Sequence, residues 1–119
     1  MGITDKLKDF IAKYDINAKD EDVCIIKSPV GMPGRALRSP LIRRVEAGLQ
    51  PRPERCVRCL SVCDPKTAPY CISRALIDAR NGDWENGLFF CGANAGKVDR
   101  LSTVREQIDQ IMQEWRAAQ

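Results

Sequence analysis

Cys56-Val57-Arg58-Cys59-Leu60-Ser61-Val62-Cys63-Asp64-Pro65-Lys66-Thr67-Ala68-Pro69-Tyr70-Cys71 concentrates most of the chain's cysteines in one short run. It places four thiols within sixteen residues in the pattern Cys-x2-Cys-x3-Cys-x7-Cys, and its two prolines interrupt any long regular element. Thiolates bind soft iron or zinc centres through short bonds, so such a segment can be organised by coordination instead of by a large apolar core. The first three sulfurs are close in sequence, and Cys71 can return from another direction to complete a set of four. Cys56, Cys59, Cys63 and Cys71 are therefore the expected metal and cofactor ligands. The spacing suits a 4Fe-4S cluster, although it differs from the bacterial ferredoxin run. Zinc is the alternative, but four-cysteine zinc sites favour two close pairs, and Cys63-x7-Cys71 is a poor second pair. Reduced or disulfide-bonded cysteines are the third reading, because spacing alone does not identify a metal.

Two cysteines stand apart. Cys24 lies in the apolar run Val23-Cys24-Ile25-Ile26, and Cys91 follows Leu88-Phe89-Phe90; both contexts favour burial as a small apolar side chain. Cys71 is preferred over Cys91 as the fourth ligand. It opens a helix carrying Ile72, Ala75, Leu76 and Ala79, where the positive helix end and exposed backbone N–H groups favour a thiolate.

With 119 residues the chain suits one small domain over 1–119, and its six cysteines could in principle make three disulfides in a secreted protein. Met1-Gly2-Ile3-Thr4-Asp5-Lys6 lacks the apolar core of a secretory signal, and no apolar run is long enough to cross a membrane. A reducing cytoplasm is the expected setting. Arginines crowd positions 35–58, a field that could attract nucleic acid, offset the charge of a thiolate cluster or face an acidic partner. A formal net charge of only +3, without aromatics interleaved among the arginines, argues against nucleic acid. The absence of histidine leaves a cysteine nucleophile without its usual base, so independent catalysis is not expected.

Along the chain, Ile3, Leu7, Phe10, Ile11 and Tyr14 recur at helical spacing, predicting an N-terminal helix over 3–16 with mixed charge on its polar face. Val23–Ile26 reads as a short strand. Ser28-Pro29-Val30-Gly31-Met32-Pro33-Gly34-Arg35 is turn-rich and lacks the Gly-Lys-Ser/Thr ending of a phosphate loop. It begins a Pro/Gly-rich, metal-binding middle over 28–71, within which Ser39-Pro40 starts a helix bearing Leu41, Ile42, Val45 and Leu49. The C-terminal part, 72–118, is helical. Its first helix stops at Asn81-Gly82, and its last opens on the capping box Thr103-x2-Glu106 with Val104, Ile108, Ile111, Met112 and Trp115 as the expected core face. The fold class expected is mainly α: a small metal-supported helical domain with short strand-like connections.

Three runs carry a family resemblance: Lys27-Ser28-Pro29-Val30-Gly31-Met32-Pro33-Gly34-Arg35-Ala36, the cysteine segment continued through Ile72, and Gly87-Leu88-Phe89-Phe90-Cys91-Gly92-x-Asn94-Ala95. Together, from about Asp22 to Met112, they resemble the C-terminal region of nitronate monooxygenases and the related FMN-dependent enoyl-acyl-carrier-protein reductases, in their cysteine-bearing branch. The resemblance implies a flavin-binding TIM barrel followed by a largely helical portion, of which this chain carries the latter. Neither the eight strand–helix units nor the phosphate-binding loops of a barrel are in the sequence. FMN would thus sit only in a separate barrel-bearing partner. The expectation is an iron–sulfur accessory domain of such a flavin-dependent oxidoreductase, acting in electron transfer or support. A non-enzymatic, zinc-stabilised interaction module is the alternative, and the partner is a flavin-binding oxidoreductase subunit or a second copy of the chain.

Overall fold

The computed structural model describes residues 18–53 and 55–119, together with Asp9 and Lys13. The helix expected over 3–16 lies, but for those two positions, outside the described residues.

Three β-branched residues in Val23-Cys24-Ile25-Ile26, Val23, Ile25 and Ile26, favour extended backbone, and β1 (Val23–Ile26) forms there. It pairs antiparallel with β2 (Gly34–Leu37) in the register Val23↔Leu37, Cys24↔Ala36, Ile25↔Arg35 and Ile26↔Gly34. The two-residue alternation of a strand turns Cys24 and Ile26 into the core and leaves Ile25 outside. The Pro-Gly run is the connection of this hairpin. Its Gly31 sits at φ 89°, where a side chain would be strained, and donates its N–H to the Ser28 carbonyl at 3.1 Å. Along the other edge of β2 runs the segment around Phe90, bridged to Ala36. Leu37 donates to the Phe89 carbonyl at 2.9 Å and Cys91 to the Arg35 carbonyl at 3.0 Å, so this apolar run behaves as a third, minimal strand.

Three α-helices complete the described residues: α1 (Pro40–Glu46), α2 (Ile72–Arg80) and α3 (Val104–Ala117). Proline at the first position of α1 fits its fixed φ. The Ser39 hydroxyl before it does not cap the helix; it is fully buried and donates to the Gly87 carbonyl at 3.0 Å. Leu49 falls beyond α1 and is exposed. Helix α2 ends at Asn81, and Gly82, at φ 79°, donates back to the Ala79 carbonyl.

The main core gathers Cys24 and Ile26 of β1, Ala36 of β2, Leu41 and Ile42 of α1, Ile72 and Ala75 of α2, and Tyr70 and Leu88. A second cluster joins Leu37, Ala18 and Phe89, flanked by Trp84, whose ring centroid lies 5.3 Å from that of Phe89. Burial of each large apolar side chain stabilises by roughly 1.5–3 kcal/mol.

The described residues form a small mixed α/β domain of three α-helices and one two-stranded sheet, which corrects the expectation of a mainly α, metal-supported domain. The physical reason is that the core closes on apolar residues from both sides of the cysteine segment, and that Gly34–Leu37, read as the end of a turn, finds a strand partner on each edge. A second correction concerns α3. Its capping box forms as expected, with the Glu106 N–H donating to Thr103 Oγ1 at 3.2 Å and the Thr103 N–H donating to the Glu106 carboxylate at 2.7 Å. These bonds hold the Glu106 carboxyl below its ordinary value. None of its residues is buried, however, so the stripe Val104, Ile108, Ile111, Met112 and Trp115 is surface and not core.

Candidate functional site

The segment 51–72 wraps around a cavity of about 500 Å³ whose wall includes all four clustered cysteines, Cys56, Cys59, Cys63 and Cys71. Cys71 is the residue preceding α2, at its N-cap, and the helix fixes it. Tyr70 beside it is buried, with its hydroxyl donating to the Lys27 carbonyl at 3.1 Å, which ties the cavity floor to the end of β1; burial pushes its phenol up. Between Cys56 and Cys59 the backbone bends through Arg58, a non-glycine residue at φ 52°.

Two hydrogen bonds orient the outer sulfurs. The Ser73 hydroxyl of α2 donates to Cys59 Sγ at 3.0 Å, and the Arg58 N–H donates to Cys56 Sγ at 3.4 Å. Cys56 and Cys59 are exposed; Cys63 and Cys71 are half-buried. Partial desolvation, then the neighbouring Cys59, Cys56 and Cys71, push the Cys63 thiol up. A raised thiol yields less of the nucleophilic thiolate, so Cys63 reacts more slowly than an unshifted thiol. Iodoacetamide at neutral pH should accordingly modify Cys56 and Cys59 ahead of Cys63, as read by peptide mass; labelling of Cys63 first would contradict the assigned environment.

The structure corrects the metal reading. Among the described residues no group of three or more His, Cys, Asp or Glu side chains could hold a metal ion. Cys56, Cys59, Cys63 and Cys71 line one cavity, in which Cys56 Sγ accepts from the Arg58 N–H and Cys59 Sγ from the Ser73 hydroxyl. Among the described residues neither a 4Fe-4S cluster nor zinc has a site, and the iron–sulfur accessory domain and the zinc-stabilised module fall with them. All six cysteines are thiols. Cys24 is buried, its Sγ donating to the Ala36 carbonyl at 3.6 Å, and Cys91 packs beside the second apolar cluster.

Sequence reasoning missed a second cavity, also about 500 Å³, lined by Arg44, Arg52, Arg55 and Arg74. Arg44 is held by the Glu85 carbonyl and Asn86 Oδ1, each at 3.0 Å, while Arg74 pairs with the buried Asp78 at 3.1 Å. The crowding of arginines over 35–58 was the available signal; Arg74 comes from α2 and joins them only through the fold.

The chain matches no family model, and no curated protein matches it significantly. No helix of the described residues is long and apolar enough to cross a membrane.

Proposed function

We propose that this chain is a protein-docking domain, and that its partner is a barrel-bearing, flavin-binding polypeptide of the kind its motifs resemble. One observation carries the reading: α3 presents Val104, Ile108, Ile111 and Trp115 at spacings of four, three and four residues, all more than half exposed. Such a stripe is the seam by which a helix packs against another helix. A contiguous apolar surface of this kind marks an interaction site. The outer surface of a TIM barrel is a ring of helices, which supplies grooves of matching geometry. The motif runs around Gly31-Met32-Pro33-Gly34-Arg35 and Cys56–Cys71 support the kinship with the C-terminal region of that family.

Affinity purification of the tagged chain from its native host, after mild cross-linking, tests the proposal. The expected result is an equimolar flavin-fluorescent polypeptide, lost from an Ile108→Glu/Ile111→Glu variant that keeps wild-type thermal unfolding. Each buried anchor so removed costs on the order of 2 kcal/mol of binding. Recovery of only a second copy of the chain, or of monomer, would overturn the assignment of partner.

A further inference from the structure

The thiol-lined and arginine-lined cavities are neighbours: Pro51, Arg52, Pro53, Val57, Tyr70 and Cys71 belong to the walls of both. Reactive sulfur therefore lies on one side of a shared wall and guanidinium charge on the other. We infer that Cys56 and Cys59 are a dithiol–disulfide pair that exchanges with a small disulfide carrying carboxylates, seated across the two cavities. This does not rest on the docking proposal, since α3 lines neither cavity.

Three features select this pair and this ligand class. Cys56 and Cys59 are the exposed members of the four, open to an incoming disulfide, whereas Cys63 and Cys71 are half-buried. Only two residues separate them, and the spacer bends through Arg58 at φ 52°, so the two sulfurs lie on one short turn. Arg55 in the arginine cavity and Arg52 on the shared wall, the latter with Nη2 held by Gln50 Oε1 and the Lys66 carbonyl and its other N–H groups left to donate, supply guanidinium donors that match carboxylates. Each cavity, at about 500 Å³, is of the size that takes a small molecule.

The exchange balances without a metal. The Cys56 thiolate attacks one sulfur of the small disulfide, forming a mixed disulfide and releasing one thiolate, which takes a proton from water. Cys59 then loses its proton to solvent and attacks the Cys56 sulfur, releasing the second small thiol. The protein dithiol is oxidised by two electrons, and the small disulfide is reduced to two thiols.

Oxidised glutathione, with carboxylates, and cystamine, with ammonium groups, are the two probes, applied to the full chain at equal concentration. With glutathione disulfide, peptide mass mapping should find one new Cys56–Cys59 disulfide, and Cys59→Ser should trap glutathione on Cys56. Arg52→Gln/Arg55→Gln should slow that oxidation on the order of tenfold, the loss of about one charge-assisted hydrogen bond, while oxidation by cystamine is not slowed. Arg55→Gln alone, with folding checked by circular dichroism, serves if the double variant misfolds, and should slow glutathione selectively. A disulfide between any other pair, no oxidation at all, or equal slowing with both probes would overturn the inference.

Discussion

Leu37→Ala should lower the free energy of unfolding by about 3 kcal/mol, within the range for emptying a well-packed core position. Leu37 is 1% exposed and sits where β2, the Phe89 segment and the start of the described chain at Ala18 meet. Its own N–H is fixed to the Phe89 carbonyl at 2.9 Å, so the backbone around it cannot collapse to fill the space its side chain leaves. In urea the loss should appear as a fall in midpoint of roughly 1.5 M at an unchanged slope of about 2 kcal/mol/M. Ile108→Ala is the matching control. It removes a similar side chain from the uncovered stripe of α3, and the isolated chain should change by less than about 0.5 kcal/mol. Equal costs at the two positions would mean that α3 is packed in solution, against the arrangement described.

Gly87→Ala should be nearly as damaging, although it adds only a methyl group. A Cβ there would lie 2.5 Å from the Asp83 carbonyl oxygen and 2.6 Å from Cζ of Phe89. Relief by backbone movement is blocked on both sides: the Gly87 N–H donates to that same Asp83 carbonyl at 2.9 Å, and its own carbonyl takes the hydroxyl of buried Ser39. Phe89 is itself buried against Trp84 and Leu37. Overpacking of this kind costs about 1–3 kcal/mol, and a thermal scan should show a midpoint lower by on the order of 10 °C for a domain of this size. Gly92→Ala, where a Cβ meets nothing within 4 Å, should leave the midpoint close to wild type. Similar melting of the two variants would show that the Asp83–Phe89 crevice is not closed.

Parts of this fold were legible because the signals are local. Val23–Ile26 announces a strand through its β-branched residues, Ser39-Pro40 a helix start, Asn81-Gly82 a helix stop, and Thr103-x2-Glu106 a capping box, and each depends on neighbours within a few residues. The strand at Gly34–Leu37 was not legible, since glycine and arginine have little intrinsic preference for extended backbone; it exists because β1 and Phe90 flank it. The periodicity of α3 predicted an apolar face correctly but could not say whether anything in this chain covers it. At the site, spacing brought Cys56, Cys59, Cys63 and Cys71 to one cavity, as four close thiols in a short segment must come. It could not show that Ser73, a residue of α2, would bond to Cys59, since that contact is made only by the fold. Hence the metal reading failed, although the four cysteines line one cavity.

The bonds that seal the core join distant parts of the chain: Ser39 to Gly87, Lys27 to Tyr70, and Ala75 to Leu88. During synthesis the β1–β2 hairpin and α1 emerge before Tyr70, Ile72 and Ala75 and long before Leu88 and Phe89, so their apolar faces stay incompletely buried until those residues follow. Closing loops of this length is slow relative to forming a helix or hairpin. The nascent chain therefore carries an interval in which Ile26, Leu37, Leu41 and Ile42 stand open to solvent. The thiols of Cys56, Cys59, Cys63 and Cys71 pass through that interval too, before the cavity they line is closed by the rest of the fold.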